Sequence, residues 1–229
     1  MKSSIKTNGG SNNLESKVFR KLGRQTDEFE GYQHAHAERI ATVAGEIARV
    51  FVLGAKDLQS LRAAALLHDL GEASMDRDYI KRAGSLSVEE RLDLERHSLI
   101  GEQEAANTGG DRAAQLIIRW HHEWWNGQGY PDRLRREEIP LAARILRVAD
   151  SYSALTDARP FRVAMSKEQA REHMVEWAAL EFDPKVVDAL LSLGPIPELE
   201  SVALPQAEPD SQASVPPEQE LNLFSSFSG

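Results

Sequence analysis

The 229-residue chain contains no cysteine. That removes disulfides, thiolate zinc sites, iron–sulfur clusters and cysteine nucleophiles together, and it fits a cytoplasmic setting. Basic charge is scarce as well: 27 Lys and Arg stand against 36 Asp and Glu, a formal net charge of −9. A binder of polymeric nucleic acid needs a basic face, so the balance argues against DNA or RNA as a partner. It leaves room for a small anion, because a bound metal supplies positive charge locally. No stretch approaches the roughly 20 apolar residues of a membrane span. The polar start, Met1 to Asn13, lacks the apolar run of a signal peptide. Two common catalytic patterns are missing too. His122-Glu123 is followed by Trp-Trp-Asn, which is not the HExxH of a metalloprotease, and no GxxxxGK phosphate loop occurs.

What is present is helical periodicity. Ile40, Val43, Ala44, Ile47 and Phe51 share one helix face, and Leu58, Leu61 and Ala65 share another. Leu116, Ile117 and Trp120 continue the pattern, as do Ala142, Ala143, Leu146 and Ala149. Further helices are expected over about Ser87–Ala106, Ser166–Ala179 and Pro184–Leu193, with no alternating strand pattern, so the fold class is all-α. Residues 1–24 read as a tail with a short basic helix over Leu14–Arg24, and residues 25–194 as one domain. Residues 195–229 read as a disordered acidic tail, because Pro, Ser, Gln and Glu dominate and Lys and Arg are absent. Its end, with Leu221, Leu223, Phe224 and Phe227, reads as an unconstrained terminus or a short docking motif.

Polar residues interrupt the apolar stripes at a repeated kind of place. His36 lies four residues before Ile40, His68 three after Ala65 with Asp69 beside it, His121 four after Ile117, and Asp150 four after Leu146. Each helix thus turns an imidazole or carboxylate inward. A buried polar group without a partner costs on the order of 1–3 kcal/mol, and an ionised one more. One inward histidine is ordinarily a hydrogen-bonded core residue. Several, carrying the same ligand chemistry, make sense if they share a cation. Nitrogen and carboxylate donors without sulfur suit iron or manganese, with zinc next, and imidazole disfavours magnesium and calcium.

In order, the chain reads His36, His68-Asp69 in ALLHDLGE, His97, His121-His122-Glu123, the loop NGQGYP, Asp150 in RVADSYSAL, and Arg159-Pro160-Phe161-Arg162. This series resembles the HD-GYP family over roughly Gly31 to Leu193. The resemblance implies an HD-domain helical bundle with HD-GYP type C-terminal helices. It also implies a phosphodiesterase that cleaves cyclic di-GMP, or a related cyclic dinucleotide, to pGpG and GMP by attack of a metal-bridged hydroxide. Two divalent ions would be held: His36, His68 and Asp150 on one, His97, His121 and His122 on the other, and Asp69 as the catalytic bridge. Arg82, Arg159, Arg162, Tyr130 and Glu72 fall at substrate-side positions, with Trp124 and Trp125 as further stacking or packing residues. The Gly129-Tyr130-Pro131 loop is a family-level place for a signalling partner.

Four positions depart from the family motif. Glu72 stands where HDIGK has lysine, a charge reversal beside an anionic substrate that Coulomb repulsion penalises by about 1–4 kcal/mol. Glu72 would otherwise bind a metal or pair with Arg82. Asn126 replaces the aspartate of DGxGYP, Ser153 replaces that of DAL, and Phe161 replaces the tyrosine of RPYR. Some three-metal members carry a glutamate one turn before the first histidine; here that position is Tyr32, so two metals are expected. Two alternatives follow: a metal-holding signalling module with little turnover, or an HD phosphohydrolase acting on another nucleotide.

Overall fold

The computed structural model describes residues 9–32, 34–82, 84–158 and 163–194. They form eleven α-helices: α1 (Gly9–Glu30), α2 (His36–Val50), α3 (Ala55–Leu67), α4 (Leu70–Met75), α5 (Asp78–Lys81), α6 (Val88–Leu94), α7 (His97–Asn107), α8 (Arg112–Trp120), α9 (Leu141–Thr156), α10 (Lys167–Glu176) and α11 (Pro184–Ser192). A 3₁₀ turn at Arg136–Glu138 precedes α9. Among the described residues the only β pairing is one isolated bridge, Ala178 to Phe182. The all-α expectation holds.

Local chemistry sets the helix starts. Ser87 caps α6 reciprocally with Glu90, and Ser166 does the same for α10 with Gln169. Asp111 accepts the Ala114 N–H to open α8, and Asp183 followed by Pro184 opens α11. The apolar stripes then meet as the periodicity requires. Ile40, Val43, Ala44 and Ile47 of α2 pack with Leu61, Ala64 and Ala65 of α3, Ile117 and Ile118 of α8, and Ile145, Leu146 and Val148 of α9.

Two elements differ from the expectation. First, α1 begins at Gly9 and runs to Glu30, and its Phe19 joins the core against α2, α3 and α4. Second, the helix expected over Ser87–Ala106 is broken at Glu95–Arg96. α6 buries none of its residues, whereas α7 buries His97, Ser98, Gly101 and Ala105. The break lets α7 turn into the core while α6 stays on the surface. α4 and α7 then touch through glycine. A Cβ on Gly71 would stand 2.0 Å from the His97 carbonyl oxygen and 2.8 Å from the Gly101 nitrogen.

Candidate metal centre

The inward polar residues sit at helix ends around one point. His36 opens α2, His68 follows α3, Asp69 precedes α4, His97 opens α7, His121 and His122 follow α8, and Asp150 lies within α9. Helix ends suit this role, since a side chain there is fixed by the helix yet projects beyond its packed flank. Donor atoms of Asp69, His97, His121 and His122 all lie within 4.8 Å of one another, and so do those of His36, His68 and Asp150. Asp69 faces both groups. Its Oδ2 is 2.9 Å from His68 Nε2, and its Oδ1 is 3.5 Å from His97 Nε2 and 3.6 Å from His121 Nε2.

The tautomers agree with metal binding. His68 Nδ1 donates to the Ala65 carbonyl at 3.1 Å, His97 Nδ1 to Leu94 at 2.7 Å, and His121 Nδ1 to Ile118 at 2.6 Å. With Nδ1 so engaged, Nε2 is the nitrogen that each ring turns to the centre, where a cation would take its lone pair. These three Nε2 atoms and Asp69 Oδ1 are buried without hydrogen-bond partners. Buried polar atoms are ordinarily satisfied; four that converge without partners fit divalent-cation ligands. Titration follows the same crowding. Burial opposes charge on His68, but the adjoining Asp69 carboxylate outweighs it and lifts the imidazole to about 10. Burial and neighbouring cationic sites hold His122 well below its ordinary value, and burial chiefly takes His97 down to about 4.

Several supporting residues gave no sequence signal. Asp157, just past α9, places Oδ2 3.3 Å from His36 Nδ1, a carboxylate behind a ligand histidine. Tyr32, one turn before His36, stacks on the His36 ring with centroids 3.7 Å apart. Arg147, 7 % exposed, donates to His122 Nδ1 at 2.8 Å, lies 3.6 Å from Asp150 Oδ2 and pairs closely with Glu181. It therefore ties a residue of one group to a residue of the other. Arg147 falls three residues before Asp150, inside an otherwise apolar run, and that position was its only clue. Glu30 was missed because the helix expected over Leu14–Arg24 runs on as α1 to Glu30. With Asp69 and Glu72 it forms a third group of donor atoms within 4.8 Å of one another.

The substrate-side residues fare unevenly. Glu72 faces the centre, and burial together with Asp69 and Asp150 pushes its carboxyl well above the usual range. Arg82 pairs instead with Glu90 on α6, at 2.6 Å on the exposed side, so the expected Glu72–Arg82 pair is not formed. Tyr130 stacks on His122 at 4.9 Å and meets His97 edge-on at 6.1 Å. Gly129 is required by space, since a Cβ there would stand 2.2 Å from the Trp124 nitrogen. The peptide between Tyr130 and Pro131 is cis. Trp124 is buried edge-on against Trp177, a packing role. Glu123 accepts the Asp132 N–H at 2.6 Å and shapes the loop. Asn126 Oδ1 accepts the Gln128 N–H at 2.9 Å, so the turn of the family's aspartate survives. Ser153 is fully buried, and its Oγ has no partner. Arg159 and Arg162 lie outside the described residues.

An all-α bundle in which histidines at helix ends converge with Asp69 and Asp150 defines a protein with a candidate centre for divalent cations. Comparison narrows the class. The model of the HD domain family matches residues 19–186. The chain belongs to the HD-domain family, in its HD-GYP branch. It is 36 % identical over 180 residues to the cyclic di-GMP phosphodiesterase response regulator RpfG of Xanthomonas campestris, covering 77 % of this chain and 47 % of that protein. It is 31 % identical over 160 residues to 3'3'-cGAMP-specific phosphodiesterase 2 of Vibrio cholerae, covering 69 % of this chain and 30 % of that protein. The chain thus spans less than half the length of these relatives. Among solved structures, a cyclic GMP-AMP specific phosphodiesterase of Vibrio cholerae superimposes with a TM-score of 0.63 at 25 % identity, over 77 % of this chain and 47 % of that one. An HDG"Y"P protein from Bdellovibrio bacteriovorus gives 0.60 at 19 % identity, over 80 % of this chain and 64 % of that one, a likeness of fold.

Proposed function

We propose that this chain hydrolyses a phosphodiester bond of a cyclic dinucleotide, cyclic di-GMP or a cyclic GMP-AMP, at a centre of two divalent cations. The observation that carries this reading is the convergence on Asp69 of three buried Nε2 atoms without hydrogen-bond partners, while its two oxygens face different ligand groups. His36, His68 and Asp150 would hold one cation, Asp69, His97, His121 and His122 the other, with Asp69 shared. The donors favour iron or manganese ahead of zinc. When bound, such cations neutralise phosphoryl charge and acidify water towards neutral pH.

The chain's own residues supply the rest. Asp157 orients His36, and Arg147 fixes His122 and Asp150 together, so both groups keep their spacing when an anion arrives. Tyr130 walls one side of the centre by stacking on His122. In the reaction, oxygen from water bonds to phosphorus and the bond from phosphorus to the 3′-oxygen breaks. The ring opens to a linear dinucleotide with a 5′-phosphate, and the leaving oxygen takes up a proton. Phosphoryl transfer depends on positioning and charge neutralisation, so no protein nucleophile is required. The setting is cytoplasmic, and a signalling protein would meet the Gly129-Tyr130-Pro131 loop.

Glu72 favours a second reading, a module that holds metal and ligand with little turnover. Anaerobic incubation of iron(II)- or manganese(II)-loaded protein with cyclic di-GMP and 3'3'-cGAMP, followed by chromatography, separates the two. The enzyme gives pGpG or its cGAMP counterpart, and Asp69→Ala abolishes it. Metal bound, nucleotide bound and substrate intact would sink the enzyme and leave the module.

A further inference from the structure

A second concave site lies away from the metal centre. Trp125 and the exposed Asn126, Arg135, Arg136 and Ala179 line an open surface cavity of about 580 Å³. None of the five belongs to a metal-ligand group. The volume lies within the roughly 300–1,000 Å³ typical of small-molecule sites.

The walls combine an indole, Trp125, with two arginines, Arg135 and Arg136. Over residues 132–138 the three arginines are balanced in number by Asp132, Glu137 and Glu138, but neither acid beyond Arg136 lines the cavity. Arg135 has Glu138 at 3.9 Å, an exposed and loose pair, and Arg136 has no ion pair among the described residues. The Arg144 guanidinium lies 5.7 Å from the Trp125 ring centroid and is itself held by the Ile139 carbonyl at 2.8 Å and by Asp183. The indole thus lies within cation–π range of an anchored guanidinium.

The frame is built and strained. Arg136 N–H donates to Trp125 O at 2.9 Å, Trp125 N–H to Glu181 O at 3.0 Å, Asn126 N–H to Leu180 O at 2.9 Å, and Ala179 N–H to Phe182 O at 2.9 Å. Arg136 (φ 51) and Ala179 (φ 66) hold left-handed backbone although neither is glycine, and the neighbouring Arg133 (φ 56) does too. Such conformations persist where surrounding contacts over-determine them, and they cluster at ligand clamps.

We propose that this cavity is a second binding site for a nucleotide, a planar base carrying phosphate. Arg135 and Arg136 both line it, and a guanidinium matches phosphate oxygens while an indole wall matches a base face. A bare anion would use the arginines but not Trp125, and an uncharged aromatic would leave the arginines idle. The nucleotide uses both.

The test is calorimetric titration of the metal-loaded full chain with GMP and GTP, with inorganic phosphate and tripolyphosphate as controls. Wild type and Asp69→Asn bind nucleotide saturably. The pair Arg135→Ala with Arg136→Ala weakens binding about tenfold or more, the scale of one lost charge-assisted contact. The lysine pair restores part of it, which separates charge from folding. Hydrolysis of a generic aryl phosphodiester and metal content stay unchanged in the alanine pair. Absence of nucleotide binding, equal binding by the alanine pair, or tripolyphosphate binding as tightly as GTP would each overturn the proposal. Because Asp69→Asn disables only the metal centre, failure here is distinguishable from failure of the phosphodiesterase reading.

Discussion

A ligand histidine is only as well placed as the group behind its other nitrogen. Three of the ligand histidines lean on carbonyls three residues earlier in their own chain segments. His36 opens its helix and has no such carbonyl in use, so it relies on Asp157. Asp157→Ala is therefore expected to weaken metal binding by about 10–100-fold, the usual cost of losing such a partner. Competition against a calibrated chelator measures it, and unchanged affinity would show that Tyr32 stacking alone orients His36. Arg147 makes the opposite kind of demand. Its removal leaves Glu181, 3 % exposed at its side chain, as a buried charge without its partner. Breaking a buried pair from one side costs about 3–5 kcal/mol, or a fall in Tm of roughly 10 °C for a domain of this size. Arg147→Met in the metal-free protein tests it by thermal unfolding. His36, His68, His121 and Asp150 were legible because each continues an apolar stripe, whereas Asp69 stood beside His68, and His97 and His122 were expected from the family resemblance alone. Asp157 and Arg147 were not, because which ring nitrogen needs an acceptor is decided by three-dimensional placement.

At the scale of elements, periodicity located the packed faces but not the turns between them. The stripe from Val88 to Ala106 reads as one helix because nothing in it breaks propensity, yet only α7 has a face to bury. The break matters, since it makes His97 the first residue of a helix aimed at Asp69. Contact between α4 and α7 then holds both in place through Gly71. A Cβ at 2.0 Å from the His97 carbonyl cannot be absorbed by side-chain movement, because the neighbour is backbone. Gly71→Ala is expected to cost about 1–3 kcal/mol or more through forced separation of the helices. It should also reduce bound metal, because the shift acts directly on His97. Denaturant unfolding together with metal analysis checks both. Loss of stability with full metal content would show that α4 yields instead. Glu72, on α4 as well, tests the electrostatics of that helix. Glu72→Lys is expected to lower KM for the cyclic dinucleotide at least about tenfold, since it places a cation near phosphate where burial and acidic neighbours now oppose ionisation of the Glu72 carboxyl. Metal content should stay at two per chain. A fall from three to two would instead make Glu30 and Glu72 metal ligands alongside Asp69.

Over the whole molecule, the centre gathers donors from residues 36 to 150, so the ends of α2, α3, α7 and α8 meet α9 at one point. Each is held to its neighbour by apolar packing, but at that point only polar atoms face one another. Without a cation, burial and the neighbouring carboxylates of Asp69 and Asp150 disfavour charge on Glu72. Metal binding therefore acts as a clip across the fold as well as a preparation for chemistry. A ligand that binds only the folded state stabilises it by RT ln(1 + [L]/Kd), about 2.7 kcal/mol at a hundredfold excess over Kd. For a chain of this length that is roughly 5–11 °C in Tm. Manganese(II) is expected to raise the Tm of the wild type by that amount in calorimetry, and a chelator to reverse it. In Asp69→Ala most of the increment should vanish, because Asp69 is the one residue whose two oxygens face both ligand groups. In Glu72→Gln the increment should persist, since the two main groups remain whole. An equal increment in Asp69→Ala and wild type would mean that the stabilising metal binds elsewhere, and the convergence at Asp69 would lose its meaning as a metal centre.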